Sequence, residues 1–212
     1  MNYSQPTPVD FWFDPVCPWT WLTSRWMLDV RRTRQVDIAW HVMSLAVLNE
    51  GRLDQIPPPN RELMSCAWAP VRVLIATQET FGPAVLESLY TALGTEYFLL
   101  DRPKTRTTIQ AALREAGLPE HLAEAGDTDT HDQALRRSHQ EGIDLVGQEV
   151  GSPIIAIPGS AHERKIAFFG PVVNPTPTGE QALRLWDSVL EMASIPAFYE
   201  IKRTRTLGPI FD

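Results

Sequence analysis

The residues best suited to chemistry are Cys17-Pro18-Trp19-Thr20. A cysteine attacks as its thiolate, so the first question is what would hold a negative sulfur there. From Trp19 to Thr33 the residues Trp19, Leu22, Trp26 and Val30 recur at helical spacing, and Pro18 suits a first helical turn. Cys17 therefore stands at a helix start. Unpaired N–H groups and about half a positive charge gather at such a terminus. Thiols held this way titrate at roughly 3.5 to 7.5 instead of about 8.5, so the sequence predicts a Cys17 thiolate at neutral pH. Thr20 follows three residues on, where its hydroxyl can donate to the sulfur or to the backbone. It cannot form a disulfide. A Cys-x-x-Cys pair resolves its mixed disulfide internally, whereas Cys17 would need an external thiol and would run a monothiol cycle. Trp19 and Trp21 offer flat apolar surface to an aromatic acceptor. The competing interpretation is a small apolar cysteine packed in a turn.

The elements around this turn set its context. Val9 to Phe13 is a short aromatic-rich run suited to a buried strand, and Asp37 to Leu45 reads as a second strand. With the helix between them they make a βαβ unit. After Pro57-Pro58-Pro59 the chain reads helical at Arg61–Phe81, Ala84–Leu99, Thr105–Ala116, Glu120–Ala125 and Thr130–Val146. Strand signals return at Ile154–Ile157 and Ile166–Phe169, hairpin-like around Pro158-Gly159, and a last helix is expected from about Thr178 to Ala193. The order is βαβ, a helical block, then ββα. That is the order of an α/β thioredoxin-like fold with a helical insertion domain, although order alone allows other α/β topologies. The expected division is 1–56 and 150–212 for the two halves of the thioredoxin-like domain, with 57–149 as the insertion. In such a fold a cis proline faces the cysteine turn, and Ser152-Pro153, just before a strand, falls at that place. Its exposed backbone groups would pair with a thiol substrate. An ordinary trans proline opening a strand fits the same residues.

Composition excludes several classes. The 212 residues are 43% hydrophobic and 21% charged, an ordinary globular balance long enough to bury roughly 70% of the unfolded surface. With 19 basic against 26 acidic residues the net charge is −7, which argues against nucleic acid or anionic lipid as a main partner. Residues 1–8 read as neither signal peptide nor membrane anchor, so a cytoplasmic location is expected. Two cysteines make no disulfide framework and no metal half-site, and no metal is expected.

Other candidates carry weaker signals. Cys66, inside an expected helix, reads as a bystander more than a resolving thiol. His41 reads as a packed, hydrogen-bonded side chain. Asn49 and Glu50 follow the second strand and could line a ligand pocket, though turn chemistry explains Asn49 as well. His121, His131 and His139 lack a metal-pair spacing and read as surface residues, as does His162 in the hairpin turn. Lys202-Arg203-Thr204-Arg205 reads as a solvated tail, or as a site for a carboxylate. Asp14 could cap the helix or influence the cysteine proton. No Gly-rich phosphate loop or serine nucleophile elbow is present.

Read together, the chain resembles the DsbA-like branch of the thioredoxin superfamily, and within it the actinobacterial mycothiol-dependent nitroreductase family. The segments that carry this are Asp10–Trp19 with Ser24-Arg25-Trp26, His41–Glu50, Trp68–Val73, Gly151–Pro153, Ala167–Val172 and Lys202–Thr206. The resemblance implies a cytoplasmic enzyme using mycothiol, a small thiol cosubstrate, to reduce acceptors that include small nitroaromatics. It leaves a homodimer open. It also implies that Cys17 is the attacking cysteine of a Cys-Pro-Trp-Cys motif whose resolving position is Thr20 here, and that Pro18, Trp19, Trp21, Asn49, Ser152 and Pro153 bind thiol or substrate. Two alternatives stay open. One is a kappa glutathione transferase or hydroxychromene-carboxylate isomerase type of enzyme, in which nothing is reduced. The other is a catalytically degenerate paralogue that binds without turnover, the outcome expected if the Cys17 sulfur is shut from solvent or stays protonated.

Overall fold

A computed structural model describes residues 6–159 and 165–211. Strand β1 (Thr7–Phe13) leads through a short turn into helix α1 (Pro18–Thr33), and β2 (Val36–Val42) returns parallel to β1. The two faces of β1 point into two different apolar clusters. Phe11 and Phe13 enter the larger one, while Trp12 packs with Met43, Ile143, Ile154 and Ala156 in the smaller. A strand buried on both faces explains its run of aromatics. β2 alternates buried and exposed positions along its length.

The second strand ends earlier than its sequence suggests. Ser44 keeps extended geometry but acts as a helix cap: its hydroxyl accepts from the Val47 N–H at 3.3 Å, and helix α2 (Leu45–Leu48) begins after it. The helical block is also more broken than periodicity implies. α3 (Pro58–Ser65) starts inside the proline run, since a proline in the first turn loses no hydrogen bond. Cys66 and Ala67 interrupt the next stretch before α4 (Trp68–Phe81). Past α5 (Leu86–Gly94) comes one wide turn, Thr95–Leu99, where the Leu100 N–H reaches back to the Thr95 carbonyl at 3.0 Å. α6 (Arg106–Glu115), a 3₁₀ stretch at Glu120–Asp127 and α7 (Asp132–Val146) complete the block.

β3 (Ile154–Ile157) and β4 (Ile166–Phe169) pair antiparallel, as their hairpin-like pattern suggests, and α8 (Gly179–Ala193) follows. The turn that contains His162 lies outside the described residues. The sheet order is β2-β1-β3-β4, with β3 antiparallel to β1. This is an α/β thioredoxin-like fold with helices inserted between β2 and β3. The larger apolar cluster runs without interruption from Phe11, Phe13 and Trp40 of the sheet to Leu74, Leu89, Tyr90 and Leu113 of the inserted helices. Trp12 pairs with Ile154, so the end of β1 and the start of β3 lie at the same end of the sheet. That pairing sets the α1 turn against Ser152-Pro153.

Candidate active site

Cys17 is the residue that caps the start of α1, and Pro18 holds the first helical position, half-buried. The Cys17 carbonyl accepts from the Trp21 N–H at 3.1 Å, and its own N–H donates to the Asp14 carbonyl at 3.1 Å. The Ser152–Pro153 peptide bond is cis. The Cys17 thiol donates to the Ser152 carbonyl across 3.8 Å, a long contact even for sulfur. Sequence neighbours could not have shown this meeting, because 135 positions separate the two residues.

Beneath the sulfur lies a closed polar network. Thr20 Oγ1 and Ser152 Oγ are 2.6 Å apart, and the Asp14 N–H donates to Ser152 Oγ at 3.1 Å. Asp14 is fully buried. Its carboxylate accepts from the Val16 N–H at 2.9 Å and from the Leu45 N–H at 2.6 Å. It therefore ties the cysteine turn to the start of α2, and does not cap α1. Burial raises its carboxyl to about 6, against the pull of those two hydrogen bonds.

The sulfur itself departs from expectation. Cys17 is only 5% exposed. Burial pushes the thiol up from its ordinary range; hydrogen bonds from the Thr20 hydroxyl and N–H pull the other way, Asp14 adds to the rise, and the Trp19 N–H opposes it. The helix-start donors are present, but removing the anion from water outweighs them. Cys17 rests as a thiol at neutral pH, not as the thiolate that its place on the helix suggests.

The two tryptophans separate. Trp19 is half-buried beside the sulfur, whereas Trp21 is 3% exposed and sits in the core. A Cβ built on Gly94 would come within 2.1 Å of the Trp21 ring, so only glycine lets α5 approach that closely. The Arg25 guanidinium covers the ring at 4.0 Å, and the Tyr90 ring stands edge-on at 5.8 Å. Trp21 thus supports the turn from below and presents no free face to an acceptor. Asn49 closes α2, and its amide donates to the Leu45 carbonyl at 2.8 Å, the use that turn chemistry alone predicts.

His41 is half-buried, stacked on Trp12 at 4.5 Å and bonded to Asp10 at 2.9 Å, a packed histidine. Cys66 is half-buried at the end of α3, where its thiol donates to the Leu63 carbonyl at 3.2 Å. His121 is exposed and His131 half-buried against Glu79 at 2.7 Å. His139 corrects the surface expectation: it is 4% exposed, the Ser44 N–H donates to its Nδ1 at 3.4 Å, and burial depresses it to about 4. A buried face of α7 produces this, because Leu135, His139, Gly142 and Ile143 point inward together. Among the described residues no three His, Cys, Asp or Glu side chains converge as a metal ion would require. Among them, too, no helix is long and apolar enough to cross a membrane.

The order of elements, the cysteine at a helix start and the facing cis proline all point one way, and comparison with known proteins decides it. A family model described as Rv2466c-like, mycothiol-dependent nitroreductase Rv2466c, matches residues 16–203. The chain belongs to that family. The uncharacterized protein Rv2286c of Mycobacterium tuberculosis is 32% identical over 205 residues, covering 94% of this chain and 83% of that protein. Among solved structures, the cytosolic disulfide reductase DsbM from Pseudomonas aeruginosa superposes with a TM-score of 0.56 at 14% identity, over 87% of this chain and 98% of that one. The disulfide oxidoreductase DsbA from Proteus mirabilis gives 0.53 at 15% identity, over 91% and 93%. These likenesses establish the DsbA-like fold, and membership of the family supports thiol-dependent oxidoreductase chemistry with a small thiol as partner.

Proposed function

We propose that this chain is a monothiol, mycothiol-dependent oxidoreductase in which Cys17 is the nucleophile. The observation that carries the reading is the set of groups around one sulfur: the Thr20 hydroxyl and the Trp19 and Thr20 N–H groups all favour its anion. The thiol is protonated at rest, so reaction begins with loss of that proton as a bound disulfide displaces the Ser152 contact. The Cys17 sulfur then attacks one sulfur of an acceptor disulfide, breaks the S–S bond, and releases the other half as a thiolate. One mycothiol thiolate attacks the mixed disulfide and frees the second half, leaving mycothiol on Cys17. A second mycothiol removes the first as mycothiol disulfide and restores Cys17. Two thiols are oxidised, one acceptor disulfide gains two electrons, and the two protons lost by the thiols end on the products. Small nitroaromatics are the other acceptor class, placed against Trp19.

In this reading Thr20 is the thiolate partner, Pro18 shapes the first turn, and Ser152 and Pro153 present the backbone to which the thiol substrate binds. Asn49, at the end of α2, is the remaining candidate for contact with the thiol substrate, and Trp21 holds the turn in place. Residues 57–149 form the inserted unit, 1–56 and 150–212 the thioredoxin-like part, and the enzyme acts in the cytoplasm. The glutathione-bound form of DsbM from Pseudomonas aeruginosa, a relative in fold, supports a small thiol as cosubstrate.

A second reading has its own support. The burial of Cys17 and the absence of a thiol at position 20 suit a degenerate binding paralogue. Incubation with mycothiol disulfide followed by intact mass separates the two. A single mycothiol adduct on Cys17, released by excess mycothiol, is expected for the enzyme. No adduct under conditions that modify a control thiol would leave the binding protein. A thioether conjugate formed from an electrophile, with no oxidised thiol, would indicate the transferase class.

A further inference from the structure

Beyond α8 the chain carries Lys202, Arg203 and Arg205 with no acidic residue between Ile201 and Phe211, a local reversal of sign in a protein of net charge −7. None of the ion pairs among the described residues involves these three. The segment does not behave as a free tail, because it returns to the active-site face and is fastened there. The Ile210 N–H donates to Asn174 Oδ1 at 2.8 Å, the Asn174 amide donates to the Gly208 carbonyl at 2.9 Å, and Phe211 stacks on Phe98 with centroids 5.1 Å apart. Asn174 belongs to a loop that is itself fixed to α1: the Thr23 hydroxyl donates to the Pro171 carbonyl at 2.7 Å and that of Thr176 to the Leu22 carbonyl at 3.3 Å.

Between α8 and these anchors, the guanidinium of Arg205 lies 4.9 Å from the centre of the Trp19 ring. Trp19 is two residues from Cys17. A guanidinium on an aromatic face keeps its in-plane N–H donors free for a planar oxyanion, and the anchors supply the ordering in advance. This rests on the reading that acceptors lie against Trp19. We propose that Arg205 is a specificity-determining residue that selects aromatic acceptors carrying an anionic oxygen group, such as nitrobenzoates, over neutral nitroaromatics of the same size. A charged acceptor would bind with its ring against the accessible part of the half-buried Trp19 that Arg205 does not occupy, and its carboxylate on the Arg205 fork.

Calorimetric titration of the reduced, full-length protein with 4-nitrobenzoate and with neutral 4-nitrobenzyl alcohol tests this. The benzoate is expected to bind more tightly, with an affinity that falls as salt is raised. Arg205→Gln is expected to weaken the benzoate about three- to tenfold, the range for a solvent-exposed charge-assisted contact, and to leave the alcohol unchanged. Equal binding of the two probes, no binding of the benzoate, or an unchanged ratio in Arg205→Gln would overturn the proposal. Turnover is measured separately with mycothiol. Charge preference without turnover removes the reductase reading alone, and turnover without charge preference removes the role of Arg205 alone.

Discussion

The two cysteines sit at opposite kinds of helix end. Cys17 precedes the first turn of α1, and Cys66 follows the last turn of α3. Burial raises both thiols, yet their surroundings differ in what they offer a developing anion. Around Cys17, the Thr20 hydroxyl and the Trp19 and Thr20 N–H groups favour the anion. At Cys66 the nearest polar partner is the Leu63 carbonyl, an acceptor that a thiolate cannot use, and only a longer-range attraction from Lys104 and the residue's own N–H favour the charge. A raised thiol is thus compatible with two functions. One site gathers donors from two neighbouring residues for the anion, and the other has only its own N–H and no hydroxyl.

The largest expected effect tests that contrast directly. Cys17→Ser is expected to lower mycothiol-dependent turnover by about a thousandfold or more, as loss of a nucleophile does, while Cys66→Ser stays within about twofold. Comparable losses in both would break the distinction. Next in size is Thr20→Val, which removes the hydroxyl that favours the Cys17 anion. Its thiol is expected to titrate higher still, which slows alkylation at fixed pH, with no change at Cys66. Site-resolved alkylation by mass spectrometry reads both sites in one experiment.

A smaller effect concerns what holds the Cys17 turn in place. Gly94→Ala drives a methyl group into the Trp21 ring, and a loss of about 1–3 kcal/mol in urea unfolding is expected for overpacking of this kind. Unchanged stability would mean that α5 does not brace the turn.

The smallest signal is a pair of opposed pH dependences. Asp14 is raised from 3.8 to about 6 in the folded protein, so the native state holds the extra proton and stability falls as pH rises through that window. His139 is depressed from 6.5 to about 4, so its contribution is present above 6.5 and is lost as pH falls toward 4. The two slopes oppose each other between about pH 4 and 6. His139→Asn should remove only the second, so the stability difference between wild type and variant is expected to grow with pH across this interval. A difference that does not vary with pH would contradict the buried, neutral histidine.

Much of the fold was legible in residue patterns. The aromatic run of β1, the helical spacing after Pro18 and the hairpin pattern near Pro158 each depend on neighbours in the chain, and each element was found near its expected place. Misplaced boundaries had local causes too faint to weigh in advance. Ser44 could have continued a strand or capped a helix, and the stop at Cys66-Ala67 carries no proline or glycine. His139 was misplaced because a histidine at a helical position says nothing of which face packs inward until the neighbouring helices are known.

By itself, then, the chain of residues determined that a cysteine opens the first long helix, that its partner three positions on bears a hydroxyl instead of a second thiol, and that a proline precedes the third strand. Helix starts and strand alternation arise from short-range sterics and hydrogen bonding, and a linear reading captures those. Only the folded arrangement decided that this sulfur lies under the Ser152 carbonyl, that Thr20 pairs with Ser152, and that Arg205 returns to one face of Trp19. Those contacts join residues far apart in the chain through the antiparallel pairing of β1 with β3 and the anchored C-terminal segment. The removal of water they bring about, which no neighbouring residue encodes, is what keeps the proton on Cys17.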